Sequence, residues 1–227
     1  MKMKQHFSIA IDGPSGAGKS TLARRLAREL GCSYVDTGAI YRTVAYHFAM
    51  LGIGPKDTDN VRRFLPDCAI EIEFRPDGVQ HMILNGKDVT DELRTPEVSA
   101  AASVIAAQPL VREYLLDMQR DLARRYSVVM DGRDIGTVVL PDADVKIYLT
   151  ASAEARAERR LAELLEKGEK TTYKAVLADM RARDERDATR AIAPLKKAKD
   201  AVELDTTALT LDESAEALRK IVEGRCG

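Results

Sequence analysis

The stretch Gly13-Pro14-Ser15-Gly16-Ala17-Gly18-Lys19-Ser20 decides the fold of this 227-residue chain. It fits the pattern G-x-x-x-x-G-K-[ST] and stands between a strand-like apolar run, Ser8 to Asp12, and a segment with helical spacing from Lys19. This context is required for a phosphate-binding loop (P-loop), whose amides and helix N-terminus face phosphate oxygens. Lys19 is expected to reach the β and γ phosphates, and Ser20 to ligate magnesium. The sequence therefore predicts a nucleoside triphosphate site; the alternative is a glycine-rich turn that binds nothing.

The segments that flank this loop predict an α/β domain with an excursion in its middle. Two short apolar runs, Ser127 to Asp131 and Val145 to Leu149, are typical of central strands in a parallel sheet that is buried on both faces. Between residues 69 and 89, alternating apolar and polar residues with turns at Asp77-Gly78 and Asn85-Gly86 predict a small antiparallel sheet. No internal repeat is evident, so we expect one domain with insertions.

Composition and charge exclude several classes of protein. The chain is 45% hydrophobic and 31% charged, which disfavours disorder and a membrane span. Its 35 Lys and Arg nearly balance 36 Asp and Glu, so no overall basic field marks a nucleic-acid binder. Residues 151–199 nevertheless hold 13 basic against 9 acidic side chains, leaving 22 against 27 elsewhere. The sequence thus predicts an acidic body that carries a basic segment, with neither nucleic-acid polymers nor membranes as partners.

Cysteine and histidine are too few and too scattered to build a structural site. The three cysteines have no C-x-x-C spacing, and the three histidines are never paired at metal-ligand spacing. With no secretory signal or transmembrane pattern, we expect a reduced, cytoplasmic protein. No heptad is evident, which favours a monomer.

Two acids follow predicted strands near the P-loop. Asp131 ends its apolar run and is placed to act on magnesium, directly or through water, unless it only caps the next turn. Asp12 is a weaker candidate, because it can serve simply to brace the loop. Ser20 and Asp131 are therefore the predicted metal site.

Three further segments each combine arginine with a hydroxyl or a carboxylate. They are Asp36-Thr37-Gly38-Ala39-Ile40-Tyr41-Arg42, Asp131-Gly132-Arg133-Asp134-Ile135-Gly136-Thr137, and the run from Arg181 to Arg190. Arginine near a helix N-terminus is suited to hold an anion such as the phosphate of an acceptor.

With these segments, the sequence closely resembles the bacterial-type cytidylate kinases, which are P-loop nucleoside monophosphate kinases that phosphorylate CMP and dCMP with ATP and Mg²⁺. The resemblance covers essentially the whole chain, including Arg94-Thr95-Pro96-Glu97-Val98 and Pro141-Asp142-Ala143. Two positions differ locally: Thr37 stands where many members have serine, and Ser20-Thr21 where some have Gly-Thr. Both changes retain a hydroxyl.

The resemblance implies a fold and a division of the chain. The fold is a three-layer α/β P-loop kinase core with a central parallel sheet, a small antiparallel β insert and a short helical lid. Residues 1–227 form a single domain with the core at about 1–57 and 104–227. The insert that binds the nucleoside monophosphate spans about 58–103 and the lid about 152–170.

The resemblance also implies roles for individual residues. The implied ATP-binding residues are Gly13, Pro14, Ser15, Gly16, Ala17, Gly18, Lys19, Ser20 and Thr21. The implied CMP-binding residues are Asp134, Arg112 and Ser103 for the base, Arg42, Arg133, Arg190 and Thr37 for the phosphate, and Asp187 with Arg183 for the sugar. The implied catalytic residues are Lys19, Arg133 and the lid arginines Arg156, Arg159 and Arg160.

Without the resemblance, some of these residues have ordinary interpretations. Arg112 has the pattern of a solvated surface arginine, Ser103 that of a small packing residue, and Arg181 to Arg190 that of an exposed helix with i,i+4 ion pairs.

Other functions stay open as alternatives. A P-loop kinase could use another acceptor, such as UMP, AMP, dTMP or shikimate. A regulatory GTPase is disfavoured, because the string nearest to its N-K-x-D motif, Asn85-Gly86-Lys87-Asp88, has the wrong order and lies in a predicted turn. A non-catalytic interaction protein would have little use for three clusters of arginine and acid.

Overall fold

A parallel five-stranded sheet forms the centre of the molecule. The computed structural model describes residues 6–75 and 78–226. The strands of this sheet are β1 (Ser8–Asp12), β2 (Ser33–Asp36), β6 (Val128–Gly132), β7 (Val145–Thr150) and β8 (Val202–Asp205). Their order is β2-β6-β1-β7-β8, with every neighbouring pair parallel. In β6 all five residues are buried, as expected for a strand covered on both faces.

Helices cover both faces of the sheet and complete three layers. The helices are α1 (Lys19–Leu30), α2 (Thr37–Met50), α3 (Thr58–Phe64), α4 (Pro96–Ile105), α5 (Pro109–Arg125), α6 (Ala153–Glu166), α7 (Tyr173–Thr189) and α8 (Leu211–Cys226). Leu22 and Leu26 of α1 pack with Leu218 of α8 against one face. Leu122 of α5 packs with Met130 of β6 on the other. The predicted α/β P-loop kinase core with a parallel sheet is confirmed.

A second, three-stranded antiparallel sheet lies beside the core, as predicted. It consists of β3 (Ile70–Phe74), β4 (Gln80–Leu84) and β5 (Lys87–Asp88), in that order. Together with α2 and α4 it encloses its own hydrophobic cluster around Phe48, Met82 and Ile105. The predicted turn at Asp77-Gly78 falls partly outside the described residues, because Asp77 is not among them. We call residues 70–88 the insert sheet.

Local signals in the sequence set several helix ends. Thr210 and Glu213 form a capping box at the start of α8, in which the Thr210 amide donates to Glu213 (2.8 Å) and the Glu213 amide to Thr210 (3.3 Å). Helix α3 was not predicted; it is a short helix of seven residues whose N-cap is Asp57. Helix α4 begins at Pro96, where Thr95 caps it by accepting from the Val98 amide at 3.2 Å, and ends at Ile105.

Candidate active site

The P-loop connects β1 to α1, and glycine is required at its start. A Cβ atom at Gly13 would lie 1.9 Å from the backbone oxygen of Leu149, so no other residue fits without moving strand β7. Gly18, the N-cap of α1, has φ of 88°, a left-handed conformation that glycine adopts freely. The loop is thereby held against the carboxyl end of the sheet.

Lys19 is buried at the first position of α1. Its ammonium group donates to the carbonyl oxygen of Pro14 at 2.8 Å, so the side chain crosses back over the loop. Burial is the main cause that lowers the pKa of Lys19, and the positive charge of Arg133 lowers it further. Anionic phosphate oxygens at this position would reverse that effect, because an opposite charge favours the ammonium form.

Ser20 and Asp131, the two predicted metal ligands, lie in direct contact. The Ser20 hydroxyl and the Tyr34 hydroxyl each donate to the Asp131 carboxylate at 2.9 Å. Burial, reinforced by the charge of Asp36, raises the pKa of Asp131. A hydroxyl and a carboxylate beside a phosphate site are the hard oxygen donors that Mg²⁺ accepts when substrate phosphates and water complete its coordination. These residues fit the ion, although the described part of the chain holds no group of three or more His, Cys, Asp or Glu side chains arranged to bind a metal by themselves.

Asp12 stabilises a backbone segment through hydrogen bonds, but this segment is the turn after β6 and not the P-loop. Its carboxylate accepts hydrogen bonds from the amides of Ile135 and Gly136, both at 2.8 Å. These amides open the short π-helical turn Ile135–Val139 that follows Asp134. Burial raises the pKa of Asp12 to about 6 despite the two bonds. Asp12 thus fixes the backbone next to the predicted base-binding acid.

The start of α2 holds the predicted phosphate-binding side chains Thr37 and Arg42. Asp36 caps the helix by accepting from the Ala39 amide at 2.9 Å, and its second oxygen binds Arg42 Nη2 at 2.8 Å. A Cβ at Gly38 would lie 2.9 Å from Arg42 Nη1, so glycine lets the guanidinium lie along the helix start. The Thr37 hydroxyl donates to the carbonyl oxygen of Asp131 at 2.7 Å, which joins this segment to strand β6.

Arg112, Asp134 and Arg190 form a buried cluster of charges. Arg112 donates to the Asp134 carboxylate, and their side chains are only 8% and 6% exposed, so the surface interpretation of Arg112 was wrong. Arg190 Nη2 lies 3.9 Å from Asp134, and neither its Nη2 nor its Nε has a hydrogen-bond partner among the described residues. Tyr41 lies beneath Arg112, with the guanidinium carbon 5.6 Å from the ring centroid. Ser103 is half-buried on α4.

The predicted sugar-binding residues are not all together. Arg133 Nε donates to Asp187 at 2.7 Å, which joins the turn after β6 to helix α7. Arg183 instead lies 3.0 Å from Asp179, one turn earlier on its own helix. The structure thus brings Asp187 to a predicted phosphate-binding arginine and places Arg183 beside another acid.

The three lid arginines occupy three different environments. Arg156 is 4% exposed; it donates to the P-loop carbonyl of Ser15 (2.9 Å) and makes two bonds to Asp184 on α7 (3.1 and 2.6 Å). Arg159 donates to the carbonyl oxygen of Thr206 at 2.5 Å. Arg160 is paired with Glu163 at 3.0 Å on the outside of α6. Of the three, only Arg156 has a hydrogen bond to the P-loop in the described structure.

Sequence reasoning missed three polar residues of this region: Tyr34, Gln80 and Asp184. Tyr34 and Asp184 bind Asp131 and Arg156, as described above, and Gln80 binds the backbone of Asp36 at 2.8 Å. Each contact joins residues at least 28 positions apart, and no local motif signals such a pairing. Only the fold reveals them.

The parallel sheet, the P-loop and the acid of β6 define a P-loop protein of the class that binds nucleoside triphosphates. A family model described as "Cytidylate kinase" matches residues 9–224. The chain therefore belongs to the cytidylate kinase family.

Individual relatives agree with this assignment. The cytidylate kinase of Carboxydothermus hydrogenoformans is 49% identical over 94% of this chain and 96% of that protein. The cytidylate kinase of Geobacillus kaustophilus is 47% identical over 99% of this chain and all of that protein. Among solved structures, an uncharacterized protein from Eubacterium ventriosum aligns over 97% of this chain and 99% of its own with a TM-score of 0.52; at 14% identity it supports the fold alone. No helix in the described ranges is both long and apolar enough to cross a membrane.

Proposed function

We propose that this chain transfers the γ-phosphoryl group of ATP to CMP or dCMP, giving CDP or dCDP and ADP, in pyrimidine nucleotide metabolism. An oxygen of the acceptor phosphate attacks the γ-phosphorus while the bond from that phosphorus to the β,γ-bridging oxygen breaks, and ADP leaves with the electron pair. The attacking oxygen is already anionic at neutral pH, so no strong general base is needed. Catalysis then consists of positioning and charge neutralisation.

The observation that carries the choice of acceptor is the buried pair of Arg112 and Asp134. Cytosine presents an amine donor beside ring-nitrogen and carbonyl acceptors. A carboxylate accepts from that amine, and a guanidinium donates to the acceptors. Uracil has a carbonyl in place of the amine, which would face the Asp134 carboxylate and be rejected. We assign Ser103 as a further contact to the base.

The acceptor phosphate is assigned to the arginines around the end of β6. Arg42, Arg133 and Arg190 would hold it together with Thr37. Nε and Nη2 of Arg190, which have no hydrogen-bond partner among the described residues, are donors suited to an anion. Asp187 and Arg183 are assigned to the sugar hydroxyls, which requires Arg183 to leave Asp179.

The triphosphate is assigned to residues 13–21, with Lys19 donating to the β and γ phosphates. Ser20 and Asp131 would hold Mg²⁺, Asp131 directly or through water. Bound there, the ion supplies positive charge that neutralises the phosphate oxygens.

The lid, residues 152–170, is assigned to cover the transferring group and exclude water. Arg156 already contacts the P-loop and is the first candidate to neutralise charge on the moving phosphoryl. Arg159 and Arg160 reach that position only if α6 moves. The insert at 58–103 is assigned to the acceptor side. Cytoplasmic location and a monomeric state stay predictions from the sequence.

Product analysis tests this function. The purified chain is incubated with ATP, Mg²⁺ and CMP, and nucleotides are separated by anion-exchange chromatography. We expect CDP and ADP in equal amounts. ADP without CDP would show hydrolysis instead of transfer and would overturn the proposal.

A further inference from the structure

The side chain of Gln80 occupies the open edge of the parallel sheet. Strand β2 is the edge strand on this side, so its outward backbone groups have no strand to pair with. The Asp36 amide donates to Gln80 Oε1 at 2.8 Å, and Gln80 Nε2 lies 3.3 Å from the Asp36 carbonyl oxygen and donates to it. One amide side chain thus satisfies both backbone groups of the last residue of β2.

Asp36 is the residue that sets the position of Arg42. Its two carboxylate oxygens divide between the helix cap at the Ala39 amide and the guanidinium of Arg42. Arg42 Nη2 pairs with the Asp36 carboxylate at 2.8 Å, and no other ion pair of Arg42 is found among the described residues. Arg42 Nε is buried and has no hydrogen-bond partner there. A shift of the Asp36 backbone would therefore move the guanidinium.

Gln80 belongs to the insert sheet, and its own position is fixed. It is the first residue of β4, it is 8% exposed, and its Nε2 also contacts Met82 Sδ at 3.0 Å. The next residue, His81, lies on the opposite face of the strand and binds Asp88 at 2.7 Å. The insert thus reaches the core strand through the amide of Gln80 and not through His81.

We infer that Gln80 is a positioning residue for acceptor binding, which holds Asp36 and, through it, the phosphate-binding arginine Arg42. The position of the insert sheet is thereby coupled to the affinity for the nucleoside monophosphate. This inference rests on the proposed function, because it takes Arg42 as a ligand of the acceptor phosphate.

The first test replaces Gln80 by methionine, which has a similar length and no branch but cannot make the two backbone bonds. We expect KM for CMP, and Kd for CMP measured by calorimetry, to rise roughly tenfold, because a displaced Arg42 would lose about one charge-assisted hydrogen bond to the acceptor phosphate. KM for ATP should stay within about twofold, since the P-loop makes no contact with Gln80. The matched control is His81→Gln on the other face of β4, which should leave both KM values unchanged.

A double-mutant cycle separates positioning from packing. If Gln80 acts through Arg42, adding Gln80→Met to an Arg42→Met variant should raise KM for CMP by less than about twofold. Provided that the wild type phosphorylates CMP, either of two results would overturn the inference. One is a double variant in which the two increases in KM for CMP multiply, and the other is a Gln80→Met variant with unchanged KM and Kd for CMP. A wild type that neither binds nor phosphorylates CMP would overturn the proposed function itself.

Discussion

Arg112 and Asp134 form an ion pair with side chains 8% and 6% exposed, between helix α5 and the turn after β6. Removing two charges from water costs several kcal/mol, and their mutual attraction does not reliably repay it. A buried pair is thus weak evidence for stability. It does fix a donor and an acceptor in one orientation, which suits recognition of a base with both kinds of group.

Replacing Asp134 by asparagine should change the choice of base more than the use of ATP. The amide can turn its NH₂ group toward a carbonyl, so it no longer repels uracil. We expect kcat/KM for CMP relative to UMP to fall at least tenfold, with KM for ATP within about twofold. Steady-state ADP release with each acceptor measures this. An unchanged ratio in a folded variant would remove Asp134 from base recognition.

Replacing Lys19 by methionine should abolish turnover without unfolding the chain. Loss of one preorganised charge at the transferring group costs about 10²- to 10³-fold in kcat or more. The midpoint temperature of thermal unfolding should not fall, because burial of the Lys19 ammonium group costs free energy and an apolar side chain removes that cost. Near-normal kcat for this variant would contradict the assigned role of the P-loop.

Arg156, on helix α6 of the lid, connects the P-loop to helix α7, so its geometry should matter as well as its charge. Lysine keeps the charge but cannot make the paired bonds to Asp184 together with the bond to Ser15. We expect Arg156→Lys to lower kcat about tenfold or more, and to increase the hydrolysis of ATP in the absence of CMP. Wild-type kcat with wild-type hydrolysis would mean that the lid does not act through Arg156.

The titration of Asp12 should make the stability of the fold depend on pH. Its pKa of about 6 in the folded chain exceeds the ordinary value of 3.8, so the folded state binds more protons between these values. The contribution of Asp12 to the free energy of unfolding is therefore greatest below about pH 4. This contribution, about 3 kcal/mol at most, is lost as the pH rises through 6.

Denaturant unfolding of the wild type and of Asp12→Asn between pH 4 and 7 measures this contribution. The free energy of unfolding of the wild type, relative to the variant, should fall as the pH rises. The pKa of Asp12 can also be measured directly, by following its carboxyl carbon by NMR as the pH of the wild-type chain is changed. This measurement does not depend on whether the variant folds. A midpoint near 4 would contradict the expected burial effect.

Motifs confined to one short segment were predictable from the sequence. The P-loop carries its own context of strand and helix, and apolar runs such as Val145 to Leu149 are sufficient to indicate the parallel sheet. The capping box at Thr210 depends on residues three apart. In each case the physical cause lies within about 10 residues.

Contacts between distant segments were not predictable in the same way. The burial of Arg112 depends on Asp134, which lies 22 positions further on, and the Gln80 contact spans 44 positions. The family resemblance groups Arg159 with Arg156, but Arg159 binds the carbonyl oxygen of Thr206. Side-chain direction on the lid helices follows from packing against other elements, which the sequence pattern alone does not specify.

The most direct test of the central claim is a panel of acceptors in a coupled assay of ADP release with ATP and Mg²⁺. The panel contains CMP, dCMP, UMP, AMP, dTMP and shikimate. Recognition of cytosine by Asp134 and Arg112 predicts that CMP and dCMP have kcat/KM values at least about 100-fold above those of every other acceptor. A higher kcat/KM for UMP, AMP, dTMP or shikimate than for CMP and dCMP would contradict the account.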